Sequence, residues 1–216
     1  MRSSQPLLGL SNKRSKEDEN LLKIALPMGK QGYIYDLRDS SLLKGAASKG
    51  GGYETEANYP LWKRVNRHME KFDQLQASFS KLIDACSGDS SNSMDRYLNK
   101  LESSNWLLNI RQALYLACCI ADELHNKNSC ILIHGWDGWD NTLVVTSLVQ
   151  ILLNPECRTL IGFKNLIERE WLLAGHQFSK RCFKSAYGTS SAKQEGPVFL
   201  LFLDCVKQVS LYYFYI

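Results

Sequence analysis

The sequence predicts an α/β fold in which a central sheet is flanked by helices. Short apolar runs bounded by turn-forming residues are typical of buried strands, and here they alternate with longer segments whose apolar residues recur every three or four positions, as in helices. The chain has 216 residues, of which 44% are hydrophobic, so it is long enough to enclose one substantial core. We therefore expect a single domain.

The first half of the chain is predicted to contain two helices and a strand. Residues 13–26 form a charged stretch with an apolar end, which indicates a helix that stops before Pro27. Residues 32–37 are predicted to form a strand. Residues 65–86 are predicted to form an amphipathic helix, because apolar side chains recur at spacings of three and four, at Met69, Phe72, Leu75, Phe79, Leu82 and Ile83.

Three consecutive glycines lie in the segment between the first strand and the second helix. Residues 50–52 are all glycine, and Glu54 follows them closely. Such a run marks either a close backbone approach or a plain surface linker, and composition alone leaves both interpretations open.

The second half is predicted to contain one strand and four helices. Residues 130–133 form a short, continuous apolar run, which is typical of a buried strand. The helices are predicted at residues 105–124, 142–153, 161–173 and 198–206. In total the pattern predicts six helices and at least two strands, with a loop over residues 87–93.

Charge and targeting signals exclude several classes of function. The 26 basic and 22 acidic residues give a net charge of +4, which is too balanced to indicate a nucleic-acid partner. No apolar run approaches the roughly 18 residues of a membrane span, and the first residues do not resemble a signal peptide. We expect a cytoplasmic protein.

The seven cysteines are predicted to be reduced thiols of the core. Their number is odd, most have apolar neighbours, and none forms a Cys-x-x-Cys pair. Without secretory targeting or clustered histidines, neither a disulfide framework nor a zinc site is indicated. No metal or cofactor is predicted.

Residues 131–142 have the frame of a phosphate-binding loop. The sequence ILIHGWDGWDNT runs from an apolar strand through a glycine-rich, acidic turn into an apolar helix. Backbone N–H groups at such a turn, together with the helix N-terminus, form an anion site. The loop nevertheless contains neither cysteine nor arginine. A metal site built from His134, Asp137 and Asp140 is disfavoured, because short acidic loops without further carboxylates recur in structural turns.

Six separated parts of the chain resemble the myotubularin family, in that family's order and spacing. They are residues 2–6 (RSSQP), 13–19 (KRSKEDE), 49–54 (KGGGYE), 101–107 (LESSNWL), the loop itself, and 158–171 with its RT, GF and EREW pieces. The resemblance implies a cysteine-phosphatase-like domain, incomplete here, over residues 1–206. Residues 207–216 do not resemble the family and are predicted to form a divergent, strand-prone tail. By the same resemblance the chain is expected to be truncated at both ends.

Three positions of the loop depart from the family. Active myotubularins are phosphoinositide 3-phosphatases whose loop reads HCSDGWDRT. This chain has Gly135 in place of cysteine, Trp136 in place of serine and Asn141 in place of arginine. The agreeing positions are His134, Asp137, Gly138, Trp139, Asp140 and Thr142.

The departures predict the loss of catalysis. A cysteine phosphatase needs a thiolate that attacks phosphorus and a guanidinium that grips the phosphate oxygens. Gly135 and Asn141 supply neither group. Cys130 cannot substitute for the thiolate, because it lies five residues upstream on the predicted strand, roughly 16 Å away.

The remaining loop residues are assigned structural roles. Asp140 is expected to cap the helix that begins near Thr142. His134 is expected to orient the loop by hydrogen bonding its backbone, which is also its implied role in the family. Trp136 either fills the emptied pocket or points outward beside Trp139, and the sequence leaves both alternatives open.

Contacts for an anion outside the loop are also altered. The family motif GHRFxxR resembles GHQFSKR at residues 175–181, where Arg181 is retained and Lys180 adds a charge. These two residues are the candidates for weak anion binding. Active relatives carry asparagines before and after the glycine run, where this chain has other residues, including Glu70-Lys71.

The resemblance is to the catalytically inactive branch of the family and implies a regulatory role. Such a protein would be a regulatory or adaptor subunit that pairs with active myotubularin-related phosphatases and influences endomembrane traffic and autophagy. Its implied location is cytoplasmic, with weak peripheral contact to phosphoinositide-containing endomembranes left open. Two alternatives remain: an active phosphatidylinositol 3-phosphate phosphatase with an unconventional site, and a fragment without independent function.

Overall fold

The computed structural model describes residues 1–8, 14–48, 50–87, 93–182 and 194–213. Within these residues, four parallel strands form one sheet in the order β1-β4-β2-β3. They are β1 (Arg2–Ser3), β2 (Gly32–Asp36), β3 (Trp62–Asn66) and β4 (Cys130–His134). The predicted α/β fold with a central sheet flanked by helices is confirmed.

Helices of varied length connect and cover the strands. In chain order they are α1 (Lys16–Ile24), α2 (Leu43–Ser48), α3 (Phe72–Cys86), α4 (Met94–Ser103), α5 (Trp106–His125), α6 (Asn141–Leu153), α7 (Leu160–Ile167), α8 (Phe178–Arg181) and α9 (Val198–Tyr213). A π-helical turn, Glu168–Leu173, continues α7. Parallel strands require such crossover connections, which is why helices intervene between them.

Strand β4 divides the hydrophobic interior into two cores. Ile131 and Ile133 belong to the larger core, where α5, α6 and α9 pack together, whereas Leu132 belongs to the smaller core beneath α1. Successive side chains of a strand point to opposite faces of the sheet, so this alternation places helices on both faces. The strand is therefore buried on both sides, as its continuous apolar sequence predicts.

The smaller core depends on a glycine beneath a tryptophan. A Cβ atom at Gly32 would lie 2.5 Å from a ring carbon of Trp62, the residue paired with it on β3. The indole N–H of Trp62 donates to the backbone oxygen of Leu22 at 3.2 Å, which fixes α1 over the sheet. A larger side chain at residue 32 would displace the ring.

Several predicted elements are confirmed and one is wrong. The strands near residues 32–37 and 130–133, and the helices near 105–124 and 142–153, are present. The helix predicted over residues 65–86 begins only at Phe72, because β3 precedes it. Met69 is buried but lies between β3 and α3, and its N–H donates to the backbone oxygen of Leu37 at 3.0 Å. Helix α4 was not predicted.

The C-terminal segment differs from its prediction. Residues 207–216 were expected to be strand-prone, but α9 continues without a break to Tyr213. Residues 214–216 lie outside the described part of the chain. The apolar side chains Leu201, Phe202 and Cys205 are fully buried in the larger core, so packing of the first turns holds this helix in place.

The glycine run brings two backbone segments together. A Cβ atom at Gly52 would lie 2.8 Å from the Cβ of Leu8, and Gly50 has a φ of +87°. Only glycine adopts that φ without strain. The close backbone approach, rather than a plain linker, is therefore the correct interpretation.

All seven cysteines lie in the described segments and are free, but the prediction that they belong to the core holds only for the buried Cys157 and Cys205. Cys86, Cys118 and Cys182 are exposed. No helix among the described residues combines the length and the apolar character that a membrane crossing requires.

A fully buried ion pair closes the carboxyl end of β2. Two nitrogens of the Arg38 guanidinium donate to the two carboxylate oxygens of Asp36, both at 2.8 Å, and both side chains are 0% exposed. A third nitrogen donates to the side-chain oxygen of Gln5 at 2.8 Å. Burial by itself would raise the pKa of Asp36, but the hydrogen bonds from Arg38 together with the charges of His134 and Arg38 outweigh it, so the pKa lies below its usual value.

Substitution of Arg38 by methionine should destabilise the chain strongly. The change leaves the Asp36 carboxylate buried without its bidentate partner, which costs about 3–5 kcal/mol. Arg64 is the matched control, because its guanidinium also lies 3.3 Å from Asp36 but is partly exposed. Arg64→Met should cost about 1 kcal/mol or less. Urea unfolding at neutral pH measures both free energies. Equal decreases for the two variants would show that Arg38 contributes no more to stability than the partly exposed Arg64.

The difference between the Arg38 variant and the native chain should shrink in acid. A carboxyl with a lowered pKa stabilises the fold above its unfolded pKa of about 3.9 and loses that contribution as the pH falls through the folded value. In the variant, Asp36 is buried without Arg38 and therefore takes up a proton at a higher pH than in the native chain. Once Asp36 is neutral, the destabilisation caused by its unpaired charge is lost.

Candidate functional site

The loop from His134 to Thr142 lies at the carboxyl end of β4, between β1 and β2, and leads into α6. In parallel sheets of this kind, ligands bind outside the carboxyl ends of the strands. A pocket of about 150 Å³ opens there. Its walls come from the loop and from three other segments, through Gln5, Leu37, Lys71, Phe72, Gly135, Trp136, Asp137, Gly138, Asp140, Asn141 and Thr142.

Gly138 allows the loop to turn against the N-terminal strand. Its φ is +76°, and a Cβ atom there would lie 2.8 Å from the backbone of both Ser3 and Ser4. The carbonyl oxygen of Gly138 accepts a hydrogen bond from Arg2 at 2.9 Å. The loop thus rests directly on the end of β1, where only glycine fits.

The loop retains unused hydrogen-bond donors. Among the described residues, none of the backbone N–H groups from Trp136 to Thr142 donates to a protein acceptor. Thr142 is 1% exposed and lines the pocket, yet its hydroxyl has no partner in the described part of the chain. Free N–H groups at a helix N-terminus, together with a hydroxyl, are the features that favour an anion.

The atoms that would act on a bound phosphate are absent from the loop. Gly135 is buried and carries no side chain, although a Cβ atom there would meet only the methyl group of Thr142, at 3.5 Å. The side-chain amide of Asn141 donates to the backbone oxygen of Glu70 at 2.8 Å. The amide therefore ties α6 to the segment before α3 and carries no charge.

Asp140 does not cap α6, contrary to the prediction. It occupies the N-cap position, but its side chain accepts no hydrogen bond from the helix. Its two oxygens instead accept from the guanidinium of Arg181, at 3.1 and 2.6 Å. His176 lies beside this pair: its Nδ1 is 2.7 Å from the backbone oxygen of Trp139. Burial lowers the pKa of His176 and so favours the neutral ring.

The geometry separates the two predicted anion ligands from the pocket. Arg181 is buried, is balanced by Asp140, and stacks on the ring of Phe72 at 3.7 Å. Lys180 is exposed and does not line the pocket. That these two residues bind an anion stays a prediction. The lysine that does line the pocket is Lys71, which the sequence pattern did not single out as a ligand.

The ring of Trp136 lines the pocket. The ammonium group of Lys71 lies 4.0 Å from the centre of its ring, and the guanidinium of Arg38 lies 5.6 Å from it. Cations attract the face of an indole ring at such distances. Of the two open alternatives, the ring therefore faces the pocket, while Trp139 is exposed.

The ring of His134 hydrogen-bonds to a carboxylate rather than to the loop backbone, so that prediction is wrong. Its Nε2 lies 3.0 Å from an oxygen of Glu54, whereas its Nδ1 lies 3.9 Å from an oxygen of Asp36 and has no hydrogen-bond partner among the described residues. Glu54 follows the glycine run, and the close approach of Gly52 to Leu8 places this segment next to His134. Sequence reasoning missed it as a site residue, although it lies in one of the six segments that carry the family resemblance.

Asp137 is the carboxyl of the pocket without a basic partner among the described ion pairs. The residue as a whole is exposed, and partial burial of its carboxyl, followed by the negative charge of Asp140, raises its pKa. The described residues contain no group of three histidine, cysteine, aspartate or glutamate side chains arranged to hold a metal ion.

Comparison with known proteins identifies a family. The family profile described as Myotubularin-like phosphatase domain matches residues 1–214. Myotubularin-related protein 9 is 52% identical to the chain in Bos taurus and 51% identical in Homo sapiens, in each case over 209 residues, which are 97% of this chain and 38% of the relative. Myotubularin of Xenopus tropicalis is 37% identical over 213 residues, 97% of this chain and 35% of its own length. The chain thus spans less than two fifths of these relatives.

Asparagine at position 140 should destabilise the loop, whereas asparagine at position 137 should not. Asp140→Asn removes the carboxylate that balances the buried Arg181, and an unpaired buried charge costs about 3–5 kcal/mol. Asp137→Asn removes a carboxyl that has no basic partner, and its effect should stay within about 0.5 kcal/mol. Urea unfolding compares the two variants. Similar free energies of unfolding for both would contradict a structural role for Asp140.

Proposed function

The chain belongs to the myotubularin family, and on this premise we propose that it is a catalytically inactive member that regulates active relatives. The observation that carries the proposal is the loop itself, which is folded on its scaffold but has a glycine at position 135 and an asparagine at position 141. The two relatives that are 52% and 51% identical over 209 aligned residues are named Myotubularin-related protein 9.

The chemistry of the family requires both missing groups. A thiolate forms the covalent phosphoenzyme, and a guanidinium neutralises charge on the transferring phosphate. When catalytic residues act together, the loss of any one of them removes most of the rate enhancement, so the separate losses are not additive. Among the described groups that line the pocket, Thr142 offers a hydroxyl and Asp137 a carboxyl without a basic partner, but none is a thiol, a histidine or an arginine.

The pocket is changed beyond those two positions. Trp136 and Lys71 line it and pack against each other, and the Asp140 carboxylate pairs with Arg181. The charge of the Asp140 carboxylate is thus balanced by a buried partner. These contacts support a structural role for the loop rather than a catalytic one.

A regulatory role is consistent with the stability of the scaffold. The ion pairs beneath the loop and the packing of α5, α6 and α9 do not depend on the missing catalytic groups. A folded domain that lacks turnover can still present a surface to an active myotubularin-related phosphatase. Through such pairing the protein would influence phosphoinositide-dependent endomembrane traffic and autophagy.

Restoring the two missing groups should not restore robust catalysis. The double variant Gly135→Cys, Asn141→Arg has room for the new thiol, because the Cβ position at residue 135 is open. Trp136, Lys71 and the Asp140–Arg181 pair remain, so we expect little hydrolysis of phosphatidylinositol 3-phosphate in a phosphate-release assay. The native chain is the control. Robust turnover by the double variant, or by the native chain, would overturn this account of the pocket.

Co-expression with an active myotubularin-related phosphatase tests the regulatory role. We expect the two chains to co-purify and the turnover of the active partner to rise. A cysteine phosphatase from another family is the control for non-specific binding. The isolated chain should also unfold cooperatively on heating. Failure to co-purify with any active relative would refute the regulatory proposal, and the absence of a cooperative transition would favour a fragment without independent function.

A further inference from the structure

A second concave surface lies at the opposite end of the sheet from the loop. It is a groove of about 510 Å³ at the amino ends of β2 and β3, and its lining includes Lys23, Pro27, Met28, Lys30, Pro60 and Leu61. We refer to these six residues, with the adjacent Ile24, as the amino-end surface. Nothing in the proposed function uses it.

The apolar part of the amino-end surface protrudes into solvent. Met28 is fully exposed at the tip of the turn between α1 and β2, Ile24 is 81% exposed, and Leu61 is 46% exposed. The turn itself is well defined, because the N–H of Lys30 donates to the backbone oxygen of Pro27 at 3.1 Å and Gly29 has a φ of +77°. A fixed turn thus holds a long apolar side chain away from the core.

The charged part of this surface is cationic. The charged side chains that line the groove are Lys23 and Lys30, and within the described residues no carboxylate lines it. The ammonium of Lys30 donates one hydrogen bond to the backbone oxygen of Asn128 at 3.1 Å, which leaves its charge unbalanced by any carboxylate in the lining. The nearby acidic side chains at the end of α5 have their own partners: Glu123 pairs with Lys127 at 2.8 Å, and Asp122 accepts from Asn126 at 2.6 Å. Lysine charges beside protruding apolar side chains complement an anionic interface.

We propose that the amino-end surface docks on an anionic phospholipid bilayer, with Met28 and Ile24 among the acyl chains and Lys23 and Lys30 at the headgroup phosphates. A bilayer suits a single protruding tip, because acyl chains close around an inserted side chain without a preformed pocket. A long, flexible methionine adapts to such an environment. The lysine stems reach from apolar depth to the charged headgroups.

This orientation would turn the loop away from the membrane. The five residues of β4 separate the two ends of the sheet by roughly 13 Å, and the pocket opens at the far end. Docking would therefore leave the loop and its surroundings free for a protein partner. The proposal does not depend on whether the chain regulates a phosphatase, so either can fail alone.

Vesicle co-sedimentation of the full 216-residue chain tests the proposal. We expect binding to vesicles of phosphatidylcholine with phosphatidylserine and much weaker binding to phosphatidylcholine alone. Met28→Glu should weaken binding by about tenfold or more, because it removes a buried apolar side chain. Lys23→Gln should weaken it by about fivefold and reduce its sensitivity to salt.

Two variants on α7 are the matched controls. Leu160 is an equally protruding apolar side chain and Lys164 is an exposed lysine, and neither lines the groove. Leu160→Glu and Lys164→Gln should leave vesicle binding unchanged. The proposal is overturned if the native chain does not sediment with anionic vesicles, or if the α7 variants lose as much binding as the amino-end variants. It is also overturned if the native chain forms a dimer in solution that Met28→Glu disrupts, because a second copy would then be the occupant.

Discussion

The buried pair of Asp36 and Arg38 is the constraint on which the loop depends. Two opposite charges removed from water must satisfy each other and every remaining hydrogen-bonding atom. Arg38 does so by reaching Gln5, and its guanidinium also lies beneath the ring of Trp136. Asp36 lies beside His134, the last residue of β4. The pair therefore joins the N-terminal segment, the end of β2 and the start of the loop into one polar unit, because separating its members would leave a buried charge unpaired.

The local pattern of the sequence was sufficient to predict most of the central elements. Strands β2 and β4 and helices α5 and α6 have apolar sequences whose period matches their structure. Strand β3 was missed because Trp-Lys-Arg-Val-Asn lacks such a period, and its identity as a strand depends on hydrogen bonds to β2. The same limit applies to the site: the loop residues are contiguous and were predicted, whereas Glu54 and Lys71 join them only after distant segments pack together.

The loop residues both support the fold and line the pocket. Gly138 has the conformation that fits against β1, and the Asp140 carboxylate balances Arg181. Gly135, Trp136 and Asn141 line the same pocket, and the amide of Asn141 also ties α6 to the segment before α3. Scaffold contacts and pocket lining therefore share the same nine residues.

The alternation of β4 between two cores has an evolutionary consequence. Ile131 and Ile133 face one core, and Leu132 faces the other. A deletion or insertion of one residue within this strand would exchange the two sets and move His134 to the wrong face. Substitutions in the loop carry no such penalty. Descendants of this sequence can therefore gain or lose chemical groups in the pocket by point mutation, but they cannot readily change the number of residues that lead into it.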